Sequence, residues 1–213
     1  MKLYGGDLSP YVQRVKMQLA AKGLEFEYLP PTGGFKSEEY LAINPIGKIP
    51  CLVTDSGQTL PESEVIIEYI EDAYPKPVLR PRKPEDRAQV RLISRVTDVY
   101  LVPAMSKIFG LLAPTRDPAA VAVAIEDVNK ALTHLERLAS GKKHIAGNKF
   151  TVADCTLTPI LYFITRLTGV LGVKAILKPY KNLTKYWKSR DKDAVSAKAI
   201  EEMARDMKAR FGF

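Results

Sequence analysis

The stretch Asn44-Pro45-Ile46-Gly47-Lys48-Ile49-Pro50-Cys51-Leu52 decides how the first third of this chain folds. Pro50 has no N–H and cannot lie inside a central strand, yet Cys51–Val53 is typical of a short β-strand. A proline between a glycine-containing loop and a strand is a place where a cis peptide bond is tolerated. We therefore expect a cis Ile49–Pro50 bond, which would leave the Ile49 backbone available to pair with an extended peptide ligand. An ordinary loop that enters a strand is the alternative.

The residues on either side of this stretch predict a mixed sheet covered by helices. Ser9-Pro10 is a typical helix start, and Asp55-Ser56-Gly57 is typical of a hairpin turn. Strands joined by a helix run parallel and those of a hairpin run antiparallel. The order β-α-β-α-β-β-α, with a mixed four-stranded sheet, predicts an α/β domain with a thioredoxin-like fold. The predicted strands are Lys2–Tyr4, Glu25–Leu29, Cys51–Thr54 and Gln58–Leu60.

A proline-rich stretch separates this domain from a second one. Four prolines between Tyr74 and Pro84 indicate a stiff linker, so we expect domains at 1–77 and 85–213 with the linker at 78–84. Beyond it the patterns predict an all-α helical bundle, with a long helical region bent at Pro103. Thr151-x-x-Asp154 resembles a capping box before an apolar helix, which makes these two residues structural rather than catalytic.

Composition excludes several functional classes. The chain has 213 residues, 46% hydrophobic and 26% charged, and no apolar run reaches the length of a membrane span, so we expect a globular cytoplasmic protein with no membrane role. The net charge of +8 favours anionic small molecules, but the basic residues are spread along the chain, so we expect no nucleic-acid partner. Cys51 and Cys155 form neither a disulfide framework nor a zinc motif. Since Ser9-Pro10-Tyr11 stands where a disulfide oxidoreductase needs a thiolate, that activity is disfavoured.

Five segments, in order, carry a resemblance to a known family. They are Leu8–Val12 with Arg14, Lys36–Leu41, Asn44–Pro50, Leu60–Ser63 and Phe150–Asp154. With these segments the chain resembles the soluble, cytosolic-type glutathione transferases. Ser9 resembles the serine-type classes, and the Lys36 and Gly47-Lys48-Ile49 segments are most similar to the phi and theta-related bacterial and plant groups.

The resemblance implies a glutathione site without a metal. Glu62 supplies an anion for the glutathione ammonium, and Ser63, at a helix N-terminus, suits the γ-glutamyl carboxylate. Ile49 would pair its backbone with the cysteinyl residue. The implied binding residues are Lys36, Lys48, Ile49, Pro50, Glu62 and Ser63, with the two lysines serving the glycine carboxylate. Phe35 stands where some relatives have a histidine.

Ser9 is the catalytic residue that the resemblance implies. A hydrogen bond donated to the sulfur favours the thiolate and lowers the thiol pKa, and the helix N-terminus adds favourable partial charge. The alternative is that Ser9 is only a helix cap. In that case Tyr11, Tyr4 and Arg14 are the next candidates for thiol activation.

The acceptor substrate is expected in a cleft between the two domains. Its predicted walls are Tyr11, Tyr100, Met105 and Phe109, with the C-terminal Phe211 or Phe213 as further candidates. Core packing is the alternative role for each of these side chains, and the sequence does not name the substrate.

The predicted function is a glutathione S-transferase that joins the glutathione thiolate to a small, hydrophobic electrophile. The alternatives are a non-enzymatic regulatory or binding module of the same fold, or a glutathione-dependent isomerase, lyase or peroxidase. The resemblance also implies a homodimer, with the helices after Glu62 and Glu85 meeting across a two-fold axis.

Overall fold

The computed structural model describes residues 1–113 and 115–212, which form two compact units. The first unit comprises residues 1–79 together with the C-terminal segment from Ala194, and the second comprises residues 80–193. The predicted family fold, a four-stranded thioredoxin-like domain followed by helices, is confirmed. No helix in the described part of the chain is long and apolar enough to cross a membrane.

The first unit contains a four-stranded mixed sheet. Its strands are β1 (Lys2–Tyr4), β2 (Glu27–Leu29), β3 (Cys51–Val53) and β4 (Thr59–Pro61), in the order β2-β1-β3-β4. The β1–β2 pair is parallel and the β3–β4 pair antiparallel, as predicted, and β1–β3 is also antiparallel. The register aligns Tyr4 with Leu29 and with Cys51, and Cys51 with Pro61. Because these four residues stand side by side, the segments attached to them lie at one end of the sheet.

Helices cover this sheet. They are α1 (Pro10–Lys22), α2 (Glu38–Ile43), α3 (Ser63–Ala73) and, from the end of the chain, α9 (Ala194–Phe211). Helix α1 begins at Pro10 because Ser9 caps it, and it ends at Gly23, whose φ of 66° is the left-handed conformation that glycine adopts without a steric penalty. Its apolar residues Val12, Val15 and Leu19 are fully buried. Helix α1 packs on both α3 and α9.

A buried ion pair anchors the residues that follow α3. Lys22 Nζ lies 2.8 Å from Glu71 Oε1, and both side chains are almost completely buried. The same Nζ donates to the carbonyl oxygens of Tyr74 and Pro77, each at 2.8 Å. Glu71 Oε2 accepts the Leu79 N–H at 3.3 Å. Burying two charges is costly unless their remaining hydrogen-bonding groups are satisfied, and the chain leaving α3 supplies those partners.

The second unit is helical, as the sequence predicted. Its helices are α4 (Pro84–Val96), α5 (Val102–Gly110), α6 (Pro118–Leu138), α7 (Val152–Val170) and α8 (Lys181–Lys188). A π-helical turn at Thr97–Leu101 joins α4 to α5, and the Val102 N–H bonds to the Thr97 carbonyl. Pro103 follows at once. Proline lacks an N–H, and its ring crowds the preceding turn of a helix. The wider π-helical turn just before Pro103 accommodates both effects.

The start of α7 is a buried polar cluster. Asp154 Oδ2 accepts the Thr151 N–H at 2.8 Å and the Thr151 hydroxyl at 3.0 Å, which confirms the predicted capping box. Its other oxygen accepts the Ile145 N–H at 3.1 Å. The buried Arg190 and His144 approach the same oxygen, with Arg190 Nη1 at 3.8 Å and His144 Nδ1 at 3.5 Å. The carboxylate therefore joins three chain segments, which is a structural role.

The contacts of α9 differ from the sequence-based division. The sequence assigned all of 85–213 to the helical domain, whereas α9 packs on α1 and belongs by its contacts to the first unit. Helical periodicity shows which face of α9 is apolar but does not show which helix covers that face.

Candidate functional site

Three chain segments meet at one end of the sheet in the first unit. The loop to Ser9 leaves β1 after Tyr4, the Ile49–Pro50 segment enters β3 at Cys51, and Glu62-Ser63 follows β4. Because Tyr4, Cys51 and Pro61 stand side by side, these segments leave or enter adjacent strands, which lie about 4.8 Å apart. The fold thus brings five of the predicted site residues to the same end of the sheet: Ser9, Ile49, Pro50, Glu62 and Ser63.

The loop before β3 is held in one conformation. The Ile49–Pro50 bond is cis, as predicted. The Lys48 carbonyl oxygen accepts the Tyr40 hydroxyl at 2.7 Å and the Asn44 side-chain amide at 2.6 Å. Tyr40 is fully buried. These bonds fix the peptide that precedes Ile49, so the Ile49 backbone is oriented before any ligand arrives.

The two predicted lysines lie on backbone segments that touch. A Cβ built on Gly47, whose φ is 63°, would lie only 2.7 Å from the Phe35 carbonyl oxygen, so the chain at 35–36 lies against the chain at 47–48. Only glycine permits this approach, because any other residue would collide with that oxygen. Lys36 and Lys48 are exposed, and neither forms an ion pair within residues 1–113 and 115–212. Their charges are therefore available to an anion.

Ser9 caps α1 with a long contact. Its Oγ accepts the Val12 N–H at 3.4 Å, and its own N–H donates to the Gly6 carbonyl oxygen at 3.0 Å. A hydroxyl that accepts through a lone pair keeps its hydrogen for donation. Ser9 is partly exposed, so this hydrogen can be directed at a ligand atom.

Arg14 ties α1 to the start of α3. It is 1% exposed, and its Nη1 donates to Ser63 Oγ at 3.1 Å and to Glu64 Oε2 at 3.2 Å. Its guanidinium carbon also lies 5.6 Å from the centre of the Tyr11 ring. From the sequence, Arg14 was expected only as part of a motif and as a reserve for thiol activation, and this bracing role was not predicted. An arginine among the apolar residues of α1 was the available signal, because such a side chain is buried only when it is paired.

Glu62 has an unusual backbone conformation. Its φ of 69° and ψ of 110° lie outside the regions that non-glycine residues normally adopt. Such conformations cost about 1–3 kcal/mol and cluster at ligand-binding positions. The Glu62 side chain is exposed and has no ion-pair partner in the described part of the chain, whereas the next residue, Ser63, is buried.

Comparison with known proteins identifies the family. Models of the glutathione S-transferase N-terminal and C-terminal domains match residues 3–78 and 92–189. The chain is 32% identical over 179 residues to glutathione S-transferase U3 of Arabidopsis thaliana, covering 83% of this chain and 77% of that protein. The chain belongs to the glutathione S-transferase family. The serine-type subclass stays a prediction.

Two further relatives show the breadth of the family. Maleylacetoacetate isomerase of Pseudomonas aeruginosa is 33% identical over 174 residues, covering 78% of this chain and 82% of that enzyme. The crystal structure of the Tau class glutathione S-transferase from mango, Mangifera indica, superposes with a TM-score of 0.83 at 27% identity, covering 98% of this chain and 97% of that one. The family fold therefore extends over nearly the whole chain.

The predicted acceptor-pocket residues of this glutathione S-transferase family member have different surroundings. Tyr100 is 55% exposed and its ring centre lies 5.7 Å from that of His134, whereas Met105 is only 5% exposed. Phe109 is partly buried, with its ring centre 5.3 Å from that of Phe163. Tyr11 is partly buried, Phe211 is 48% exposed, and Phe213 lies outside the described residues. The acceptor pocket stays a prediction.

Other reactive groups of this family member have structural roles. Burial raises the pKa of the Cys51 thiol to about 11, although a backbone hydrogen bond from Leu60 opposes the shift, so Cys51 is an inert core residue. Tyr4 is 8% exposed, and its ring centre lies 5.8 Å from that of Tyr40, which gives it a packing role. Among the described residues, no three His, Cys, Asp or Glu side chains gather as a metal site requires.

Proposed function

We propose that this protein catalyses attack of the glutathione thiolate on a small, hydrophobic electrophile. The observation that carries this proposal is the convergence of Ser9, the Ile49 backbone and the start of α3 at one end of the sheet. In the conjugation, the sulfur forms a bond to an electrophilic carbon, and a leaving group departs with its electron pair or a neighbouring atom takes up the charge. The thiol proton passes to solvent before attack.

The binding roles follow from the charges at this edge. The unpaired carboxylate of Glu62 suits the glutathione ammonium. The N-terminus of α3, beginning at Ser63, presents backbone N–H groups to the γ-glutamyl carboxylate. Lys36 and Lys48 suit the glycine carboxylate, and the fixed Ile49 backbone pairs with the cysteinyl residue as an added strand would.

Thiol activation falls to Ser9. A free thiol with a pKa near 8.5 is mostly protonated at neutral pH. The Ser9 hydroxyl donates to the sulfur and stabilises its charged form, and the N-terminus of α1 adds partial positive charge. Each unit of pKa lowering corresponds to about 1.4 kcal/mol and about tenfold more thiolate until the thiol is largely ionised.

Glutathione-dependent isomerisation is the second candidate, because the Pseudomonas aeruginosa relative named as an isomerase is as similar as those named as transferases. In that reaction the thiolate adds to a carbon–carbon double bond, the resulting single bond rotates and the thiolate leaves. Glutathione is regenerated, whereas conjugation consumes one thiol per product. The same site residues would serve both reactions.

We also propose that the chain is a cytoplasmic homodimer. Each unit has an exposed apolar side chain on a helix that the resemblance assigns to the dimer contact, which supports this proposal: Val65 on α3 is 52% exposed and Leu92 on α4 is 44% exposed. Light scattering should give twice the mass of one chain. A single-chain mass at micromolar concentration would contradict the dimer without affecting the glutathione site.

The deciding experiment measures glutathione binding and thiol consumption together. We expect retention on immobilised glutathione, a bound thiol that ionises below the free-solution pKa, and loss of one thiol per molecule of a chloronitrobenzene acceptor. Turnover of an unsaturated dicarboxylic acid without thiol loss would favour the isomerase. Binding with no turnover across a panel of electrophiles, alkenes and peroxides would indicate the non-enzymatic module.

A further inference from the structure

We propose that α9 positions the loop that carries Ser9, with Asp206 as the principal positioning residue. We call residues 5–9, which connect β1 to α1, the Ser9 loop. The inference rests on the proposed function, since it concerns how the thiol-activating hydroxyl is held. It adds a requirement that the family relationship does not state, namely that the last helix takes part in thiol activation.

The contact that carries this inference is a hydrogen bond next to Ser9. The Leu8 backbone N–H donates to Asp206 Oδ2 at 3.0 Å, across 198 residues of sequence. The other carboxylate oxygen, Oδ1, accepts from Arg210 Nε at 3.0 Å one turn later on α9. The Asp206 side chain is 22% exposed, so the bond to Leu8 is partly shielded from water. A bond between a charged acceptor and a backbone donor is among the stronger hydrogen bonds in proteins.

A second set of contacts holds Asp7 in the same loop. Arg205 Nη2 on α9 lies 3.1 Å from Asp7 Oδ2. Lys16 Nζ lies 2.7 Å from Asp7 Oδ1 and 2.6 Å from Glu202 Oε2 on α9. Gln13 repeats this arrangement, donating to the Asp7 carbonyl oxygen at 2.9 Å and to Glu202 Oε2 at 3.1 Å. Burial alone would raise the pKa of Asp7, but the bonds from Lys16 and Arg205 bring it below its usual value, so Asp7 stays ionised in this network.

These contacts matter because the Ser9 hydroxyl is weakly anchored locally, although the Ser9 backbone bonds to Gly6 and Gln13 at 3.0 Å each. The Ser9 cap bond to the Val12 N–H is 3.4 Å long, near the limit for a hydrogen bond. A hydroxyl that must donate to a sulfur needs a position fixed to a fraction of an ångström. A displacement of about 1 Å at a reacting group can cost about a hundredfold in rate. The bonds at Asp7 and Leu8 supply that constraint from α9.

The test uses three variants of the full chain. Asp206→Ala removes the acceptor and the charge, whereas Asp206→Asn removes the charge but keeps an oxygen that can accept the Leu8 N–H. Arg210→Ala is the matched control, because it removes the other partner of Asp206 and leaves the Leu8 bond in place. For each variant we would measure glutathione affinity, kcat with saturating acceptor and the pH at which the bound thiol ionises, read from thiolate absorbance.

A positioning role and a purely electrostatic role of Asp206 predict opposite shifts in the pH at which the bound thiol ionises. If Asp206 positions Ser9, Asp206→Ala lowers kcat by about tenfold and moves thiol ionisation to higher pH, with affinity changed less than about twofold. Asp206→Asn and Arg210→Ala then stay within about twofold of the wild type in kcat. If Asp206 acts only through its charge, both changes at 206 move ionisation to lower pH, and this result overturns the inference.

Three further outcomes remain decisive. If Asp206→Ala does not fold, amide hydrogen exchange in the wild-type protein tests the contact itself, because the Leu8 N–H should be protected; rapid exchange there overturns the inference. A wild type that binds glutathione without ionising its thiol contradicts the proposed function instead. A wild type that ionises the thiol, with Asp206→Ala unchanged, contradicts only the role of α9.

Discussion

The N-termini of α1 and α7 begin with similar residues, but they differ in which hydrogen-bonding groups stay available to a ligand. Thr151 at α7 gives both its N–H and its hydroxyl to Asp154, and that carboxylate is completely buried. Ser9 at α1 gives its N–H to the Gly6 carbonyl oxygen, but its hydroxyl makes one long contact, as an acceptor, and stays partly exposed. At α7 the polar atoms of Thr151 and Asp154 are satisfied by protein, whereas at α1 the Ser9 hydroxyl retains a donor at the end of the sheet.

This difference shows how a fold distinguishes a structural cap from a binding cap. Both satisfy part of the need that every helix N-terminus has for acceptors. At α7 the chain supplies the acceptor from within, so no ligand is required. At α1 the Ser9 hydroxyl can still donate, and it lies at the end of the sheet where Ile49 and Ser63 also lie. Three substitutions and one labelling experiment test the contrast, from the largest expected effect to the smallest.

Asp154→Ala should give the largest effect, on stability. It leaves the Thr151 N–H and hydroxyl and the Ile145 N–H without their buried acceptor, and it removes the carboxylate 3.8 Å from the Arg190 guanidinium. Breaking such a network costs about 3–5 kcal/mol in the free energy of unfolding. Urea unfolding measures this loss. Asp154→Asn, which keeps two acceptor lone pairs, should cost less. A loss below about 1 kcal/mol for Asp154→Ala would show that the α7 cluster is not the satisfied structural cap described above.

Ser9→Ala should act on turnover. We expect kcat to fall about tenfold to a thousandfold, equivalent to about 1.5–4 kcal/mol, with thiol ionisation shifted to higher pH and little change in glutathione affinity. The sign follows because removing a donor to the charged sulfur favours its protonated form. Asp117→Ala is the matched control, since Asp117 caps α6 through a bond from the Ala119 N–H at 2.9 Å. It should lower stability without changing kcat. Unchanged turnover and thiol titration in Ser9→Ala would reduce Ser9 to a helix cap like Thr151.

Glu62→Gln should act on binding instead. A contact made equally in the ground state and the transition state changes affinity and leaves kcat at saturation nearly unaltered. Calorimetry should show about tenfold weaker glutathione binding. Glu25→Gln provides the control, because Glu25 is an exposed carboxylate just before β2, at the opposite end of the sheet. Equal effects of the two changes would mean that only the net charge matters.

Labelling of the Cys51 thiol should give the smallest effect. Its pKa of about 11 leaves about one thiol in a thousand ionised at pH 8, so a thiol reagent should label it slowly in the folded protein and quickly after unfolding. Because the pKa is raised, labelling of the folded protein should rise about tenfold with each pH unit and level off only near pH 11. Fast labelling at pH 8 would reveal a second reactive sulfur at β3 and weaken the assignment of thiol chemistry to bound glutathione.

Local rules predicted much of this site. Proline and glycine chemistry predicted the loop before Cys51, and hydroxyl residues before helices predicted the caps at Ser9 and Thr151. These features depend on a few consecutive residues. The Asn44 and Tyr40 bonds to the Lys48 carbonyl span no more than eight residues.

The features that escaped prediction all join distant parts of the chain. Arg14 meets Ser63 across 49 residues, and Leu8 meets Asp206 across 198. The Lys22–Glu71 pair also joins two helices. A charged residue in an amphipathic pattern indicates only that it must be paired or exposed, and the register of two packed helices decides which. That register results from the whole core, so no short stretch of sequence contains it.

The return of α9 to the first unit also affects the order of events during synthesis. Residues 1–79 leave the ribosome well before Ala194, whereas residues 80–193 form a contiguous unit whose partners are all present once Asp193 has emerged. Domains generally fold as their chain becomes available. The side of α1 that packs on α9 therefore has no partner until the residues from Ala194 onward have emerged. Of all the parts of the proposed glutathione site, the Ser9 loop is the one whose contacts a nascent chain completes last.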